Sequence, residues 1–117
     1  MKKADPISTE IIRNAFISIA QDMNAVLIRS AYTPVIYEGK DCVVALLDEK
    51  GEVLGQSSGL PLFLGNLQVC VQETAKMYGW DYFKEGDIFF VNDSFFTGTH
   101  LNDITIFAPI FWKGKLA

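Results

Sequence analysis

The sequence has 117 residues, 50% of them hydrophobic and 21% charged, with a formal net charge of −4. That balance excludes a disordered chain and suits one domain with a real core. No Lys/Arg cluster of the kind that tracks phosphates is present, and no apolar run approaches the roughly 20 residues of a membrane helix, so neither nucleic acid nor membrane is an expected partner.

The chain opens Met1-Lys2-Lys3-Ala4-Asp5-Pro6, basic but without a following apolar h-region. No signal peptide is visible, and a cytoplasmic location is the default expectation. Ser8 is a plausible N-cap for a long first helix, with Glu10 in its first turn. Ile11, Ile12, Ala15, Phe16, Ile19, Ala20, Met23, Val26 and Leu27 recur at helical spacing and predict one buried face. Pro34 disfavours helical conformation at Thr33, so the helix should end near Tyr32.

A hairpin is predicted next. Asp41 to Asp48 and Glu52 to Gly55 read as strands, and Glu49-Lys50-Gly51 supplies the turn, with Gly51 able to take positive φ. The first strand is apolar on both faces in its middle and is expected to be central in a sheet. Asp41 stands at its start, where solvation or capping is the ordinary role for an acid. Residues 57–65 form a loop with an apolar tip. A second helix is predicted from about Asn66 to Tyr78, with Leu67, Val71, Ala75 and Tyr78 as its stripe and Gly79 as its stop.

Glu85-Gly86-Asp87 turns into a strand at Ile88 to Val91, and another apolar run covers Ile104 to Ile110. Lys113-Gly114 looks like a hairpin turn whose second strand has barely started, which suggests a piece of a longer protein. The fold class expected is therefore α+β: a long N-terminal helix, hairpin, second helix and hairpin, packed on a mixed or antiparallel sheet.

Asn92 to Asp103, between the two strands, holds acids, amides, Thr97, Thr99, Gly98 and His100, the only histidine of the chain. A loop presented by two strands is a good place for a ligand site. His100 and Asp103 are three apart, and imidazole plus carboxylate suits zinc, manganese or iron. The same spacing also arises where Asp caps a turn and His is merely exposed. No phosphate loop and no Gly-x-Ser-x-Gly elbow occurs. Cys42 and Cys70 sit in apolar contexts and read as reduced core thiols. A nucleophilic Cys42 would need His100 beside it, and nothing in the sequence places the two together.

Several stretches together resemble the N-terminal part of the hydantoinase B family. They are Asp5-Pro6-Ile7-Ser8-Thr9-Glu10-Ile11-Ile12-Arg13-Asn14-Ala15, Arg29-Ser30-Ala31-Tyr32-Thr33-Pro34, Leu64-Gly65-Asn66-Leu67, Gly86-Asp87, and Asn92-Asp93 with Gly98-Thr99-His100-Leu101-Asn102-Asp103. That family includes the B components of N-methylhydantoinase and caprolactamase, the matching half of 5-oxoprolinase, and components of acetone and acetophenone carboxylases. The resemblance runs over essentially all of residues 1–117, and family members are several times longer.

The resemblance implies an ATP-dependent hetero-oligomer. A hydantoinase A-type partner uses ATP to activate a small cyclic amide or ketone, and the hydantoinase B-type component receives the activated species at a divalent-metal site, zinc or manganese. The implied reaction is hydrolytic opening of a cyclic amide or imide. A carboxylase component or a non-catalytic assembly module are the alternatives. The implied metal ligands and catalytic residues are Asp41, His100 and Asp103, with further ligands beyond Ala117 and with Asp93 as the acceptor orienting the histidine. Three loop positions depart from the pattern of many members: Ser94 and Asn102 replace prolines, and Thr97 replaces a glycine. Many members also have His where Phe63 stands, so the implied substrate is open.

Overall fold

The computed structural model describes residues 5–59, 63 and 65–117. The basic start at 1–4 and most of the apolar loop tip, 60–62 and 64, lie outside the described residues. The described residues fall into two compact units, one within 1–47 and 53–61, the other within 48–52 and 62–117.

The first unit is built on helix α1, Pro6–Ser30. Its N-cap is Asp5, not the expected Ser8. The Asp5 carboxylate accepts from the Ser8 N–H at 3.0 Å and from its hydroxyl at 2.8 Å. The physical reason is the Asp-Pro pair: proline at the first helical position is preset in φ and lacks the N–H that would go unpaired there. The helix ends at Ser30, and Ala31 is already extended. Thr33 is extended too, as a residue before proline should be, and Pro34 opens a further short helix, α2, Pro34–Tyr37. The apolar pattern of the sequence does not reveal α2.

Strands β1, Ala45–Leu47, and β2, Val53–Gln56, pair antiparallel, with a bulge between Leu46 and Leu47. Among the described residues β2 is the only neighbour of β1, so the expectation of a central strand is corrected. Residues 42–44 are spoken for otherwise: Cys42 N bonds Lys40 O, and Val44 exchanges bonds with Ser57. Helix α1 packs on β2 at Gly55, where an added Cβ would lie 2.7 Å from the Phe16 carbonyl carbon. Contact is thus made by the Phe16, Ile17, Ala20, Asn24 and Ile28 side of α1, of which Ala20 alone is fully buried. Much of the predicted apolar face lies on the flank of that contact. Ile11 and Val26 are each 64% exposed and Ile12 56%.

The second unit is organised around α3, Asn66–Tyr78, with the bounds the sequence predicts. Gly65 and Gly79 flank it at φ 86° and 87°, values that cost a residue with a Cβ. Its buried side is Cys70, Thr74 and Ala75, one step around from the expected stripe; Tyr78 is exposed and stacks on Tyr82 instead. A 3-10 turn at Trp80–Tyr82 leads to β3, Phe89–Val91, which pairs antiparallel with β4, Thr105–Phe107. Phe89 and Phe107 are direct cross-strand partners and stack at 4.9 Å, and the buried Phe83 ring meets both edge-on. The last hairpin joins β5, Phe111–Trp112, to β6, Lys115–Leu116, through Lys113 and Gly114, both at positive φ as a tight two-residue turn requires. The molecule is α+β as expected, and among the described residues the strands form three separate antiparallel pairs. Among the described residues no helix is long and apolar enough to cross a membrane.

Candidate metal centre

The loop between β3 and β4 is tied at both ends. At its root, the Asn92 side-chain amide donates to the Asp103 carbonyl. Cys70 of α3 is fully buried, and burial pushes its thiol pKa up; the Thr74 hydroxyl donates to its carbonyl at 2.8 Å. The loop's first half is an Asp-capped turn. Asp93 Oδ1 accepts from Phe95 N at 3.0 Å, and Asp93 O from Phe96 N and Thr97 N. Gly98 then permits a close pass, since a Cβ there would stand 2.9 Å from Ser94 Cα.

These restraints deliver residues 99–103 as a compact polar knot. Asp103 Oδ2 accepts three bonds, from Thr99 N at 2.7 Å, Thr99 Oγ1 at 2.8 Å and His100 N at 3.0 Å. Its other oxygen, Oδ1, faces His100 Nδ1 at 3.1 Å. The sequence expectation gave the imidazole's acceptor as Asp93. In the structure that acceptor is Asp103, while the Asp93 carboxylate serves the turn. Partial burial raises the Asp103 pKa, but the bonds from the Thr99 and His100 amides, the Thr99 hydroxyl and the His100 ring outweigh it. They hold the carboxyl at about 2, against an ordinary 3.8. An ionised carboxylate only accepts, so His100 Nδ1 carries the proton between them, and Nε2 is the ring nitrogen left for a ligand. The His100 side chain is 44% exposed and so within reach of a ligand. Phe63, which is buried, sets its ring edge-on to the imidazole at 6.3 Å.

By donor type an imidazole and a carboxylate suit a divalent cation. The 3.1 Å contact between Nδ1 and Oδ1 is taken by a proton, so the ring nitrogen that would meet an ion is Nε2. Asp103 Oδ1 has no second partner among the described residues, whereas Oδ2 is saturated. Among the described residues of this unit, no third His, Cys, Asp or Glu joins the pair.

Asp41 belongs to the first unit. It follows a sharp bend after α2: a Cβ on Gly39 would meet Val35 O at 2.7 Å, Lys40 takes φ 52°, and Asp41 N bonds Val35 O. Asp41 Oδ1 is buried with no hydrogen-bond partner. Such an atom is costly unless something positive meets it, and a cation is one such partner. The neighbouring Cys42 is no activated nucleophile. Burial and the Asp41 charge push its thiol pKa up, and its Sγ lies 3.5 Å from Asn24 Oδ1.

Sequence reasoning passed over Thr99 and Asn92 as participants. The signal for Thr99 was present in the run Thr-His-x-x-Asp: an acid four residues after a Thr can take both that residue's amide and its hydroxyl when the intervening chain turns.

Comparison with known proteins places the sequence in a family. Residues 5–117 match the Hydantoinase B/oxoprolinase family. An uncharacterized protein of Methanocaldococcus jannaschii is 34% identical over 96% of this chain. The beta chain of the caprolactamase of Pseudomonas jessenii is 30% identical over 99% of it, and the 5-oxoprolinase of Dictyostelium discoideum 30% over 96%. The chain spans 20% of the length of the first two relatives and 9% of the third. The match extends through α1, Asp41 and the knot at 99–103 alike, and the chain belongs to the hydantoinase B/oxoprolinase family.

Proposed function

We propose that this chain supplies part of the metal centre of a hydantoinase B-type enzyme component that opens a cyclic amide after a nucleotide-using partner has activated it. The observation that carries the reading is the His100–Asp103 pair, held with one carboxylate oxygen saturated and the other turned to the imidazole. Supporting it are relatives named as a 5-oxoprolinase, as the beta chain of a caprolactamase and as the B component of a putative D-/L-hydantoinase. The last two names, each given to one component of an enzyme, also favour a hetero-oligomer.

His100 and Asp103 would hold a divalent ion, zinc or manganese. Asp41 is a further proposed donor, on the strength of the family pattern and of its buried, unpartnered Oδ1. A divalent ion held there supplies Lewis acidity toward a substrate oxygen. The chain's own part is to keep Asp103 ionised through the four bonds on it, and to fix the imidazole plane through Asp103 and the Phe63 edge. ATP use falls to a hydantoinase A-type partner, since this sequence contains no phosphate loop and no basic cluster.

The test is to measure ATP hydrolysis and ring opening separately on the assembled complex. His100→Ala should abolish ring opening and leave ATP hydrolysis partly intact. Equal loss of both in a folded complex, or full retention of ring opening, contradicts the reading.

A further inference from the structure

We propose that Thr99 is the positioning residue of the His100–Asp103 pair, its hydroxyl linking the Asp103 carboxylate to the imidazole and so favouring the Nδ1–H tautomer. The inference rests on the metal-centre reading above for its purpose, and on hydrogen-bond geometry for its content. The Thr99 hydroxyl has one proton and two polar neighbours, Asp103 Oδ2 at 2.8 Å and His100 Nδ1 at 3.2 Å. The carboxylate can only accept, so the hydroxyl proton goes to Oδ2. The Oγ1 lone pairs are then turned to Nδ1, which must carry its own proton. That N–H is shared between Asp103 Oδ1 at 3.1 Å and Thr99 Oγ1.

The three side chains thus close a ring in which each bond fixes the direction of the next. Two backbone amides also reach Oδ2, at 2.7 and 3.0 Å, but they hold that oxygen without touching the imidazole. Only the Thr99 hydroxyl touches both partners. Without it, Oδ2 keeps its two amide donors but loses the third, and the imidazole N–H loses one of its two acceptors. The imidazole, and with it Nε2, would then be held less firmly relative to the carboxylate. Partners of this outer kind typically change metal affinity by about 10–100-fold when removed.

The experiment compares wild type with Thr99→Val, Thr99→Ala and Thr99→Ser. Two readouts are taken on each: Mn²⁺ affinity by paramagnetic resonance, and the tautomer of the single histidine by ¹⁵N NMR on metal-free protein at about pH 8, where imidazole is ordinarily neutral. Thr99→Val keeps the β-branched shape and loses the proton donor. It should shift His100 away from the Nδ1–H tautomer and weaken Mn²⁺ binding about tenfold or more. Thr99→Ser should restore both. Thr99→Ala should behave as Thr99→Val, which separates the hydroxyl from the methyl. Unchanged tautomer and affinity in Thr99→Val and Thr99→Ala would overturn the proposal, as would Thr99→Ser behaving like Thr99→Val. The two readings fail differently. If wild type binds no Mn²⁺ while the tautomer follows the hydroxyl, the metal centre falls and the positioning role stands.

Discussion

Asp103 is the residue on which the loop's chemistry turns, and its pH behaviour follows from its bonds. Its folded pKa, about 2, lies below the ordinary 3.8. Protons therefore bind the unfolded chain more readily in that window, and the stabilisation Asp103 gives is fully present above about pH 4 and is lost as pH falls toward 2. NMR of the Thr99 and His100 amides should show the knot intact at pH 4 and released with a midpoint near 2; a midpoint near 3.8 would mean that the bonds to Oδ2 do not form. At this scale the sequence was partly legible. His100 and Asp103 stand out by type and spacing, and the family resemblance supplies Asp41. The roles of Thr99 and Asp93 were not legible. Both depend on which of several nearby acceptors the turn brings within about 3 Å of a donor, and spacing along the chain does not decide that.

At the scale of elements, α3 and its stop at Gly79 were legible, because a helical stripe closed by a glycine leaves few alternatives; the positive φ of Gly65 at its start was not read. Helix α1 was legible as a helix but not in how it packs. Its apolar residues cover more than one face, and periodicity alone does not say which side a strand will take. The deciding residue is Gly55, whose missing Cβ lets β2 lie against the Phe16–Ile17 backbone. Gly55→Ala should therefore destabilise the protein by about 2 kcal/mol or more, as overpacking at a contact does, and lower Tm by roughly 4–8 °C for each kcal/mol. Urea and thermal melts of the variant check this. A neutral or stabilising effect would mean the helix–strand contact is looser than the 2.7 Å approach implies. The run at 42–44, which lies outside β1, is the converse case. Its apolar composition reads as strand, yet its backbone groups bond to Lys40 and Ser57.

For the whole molecule, the orphaned carboxylate oxygen of Asp41 lies in one compact unit and the His100–Asp103 knot in the other. Membership in the hydantoinase B/oxoprolinase family covers both. The chain corresponds to 20% of the caprolactamase beta chain it matches, so substrate choice is not written in these residues alone. What we propose for these residues is a cation site. The most direct measurement is a divalent-cation titration of the protein with Mn²⁺ and Zn²⁺, run on wild type, His100→Ala and Asp103→Asn, with circular dichroism to show that each variant is folded. One ion per chain in wild type, with affinity lost in both folded variants, is the predicted result. No saturable binding in wild type, or binding that survives both substitutions unchanged, would contradict the account.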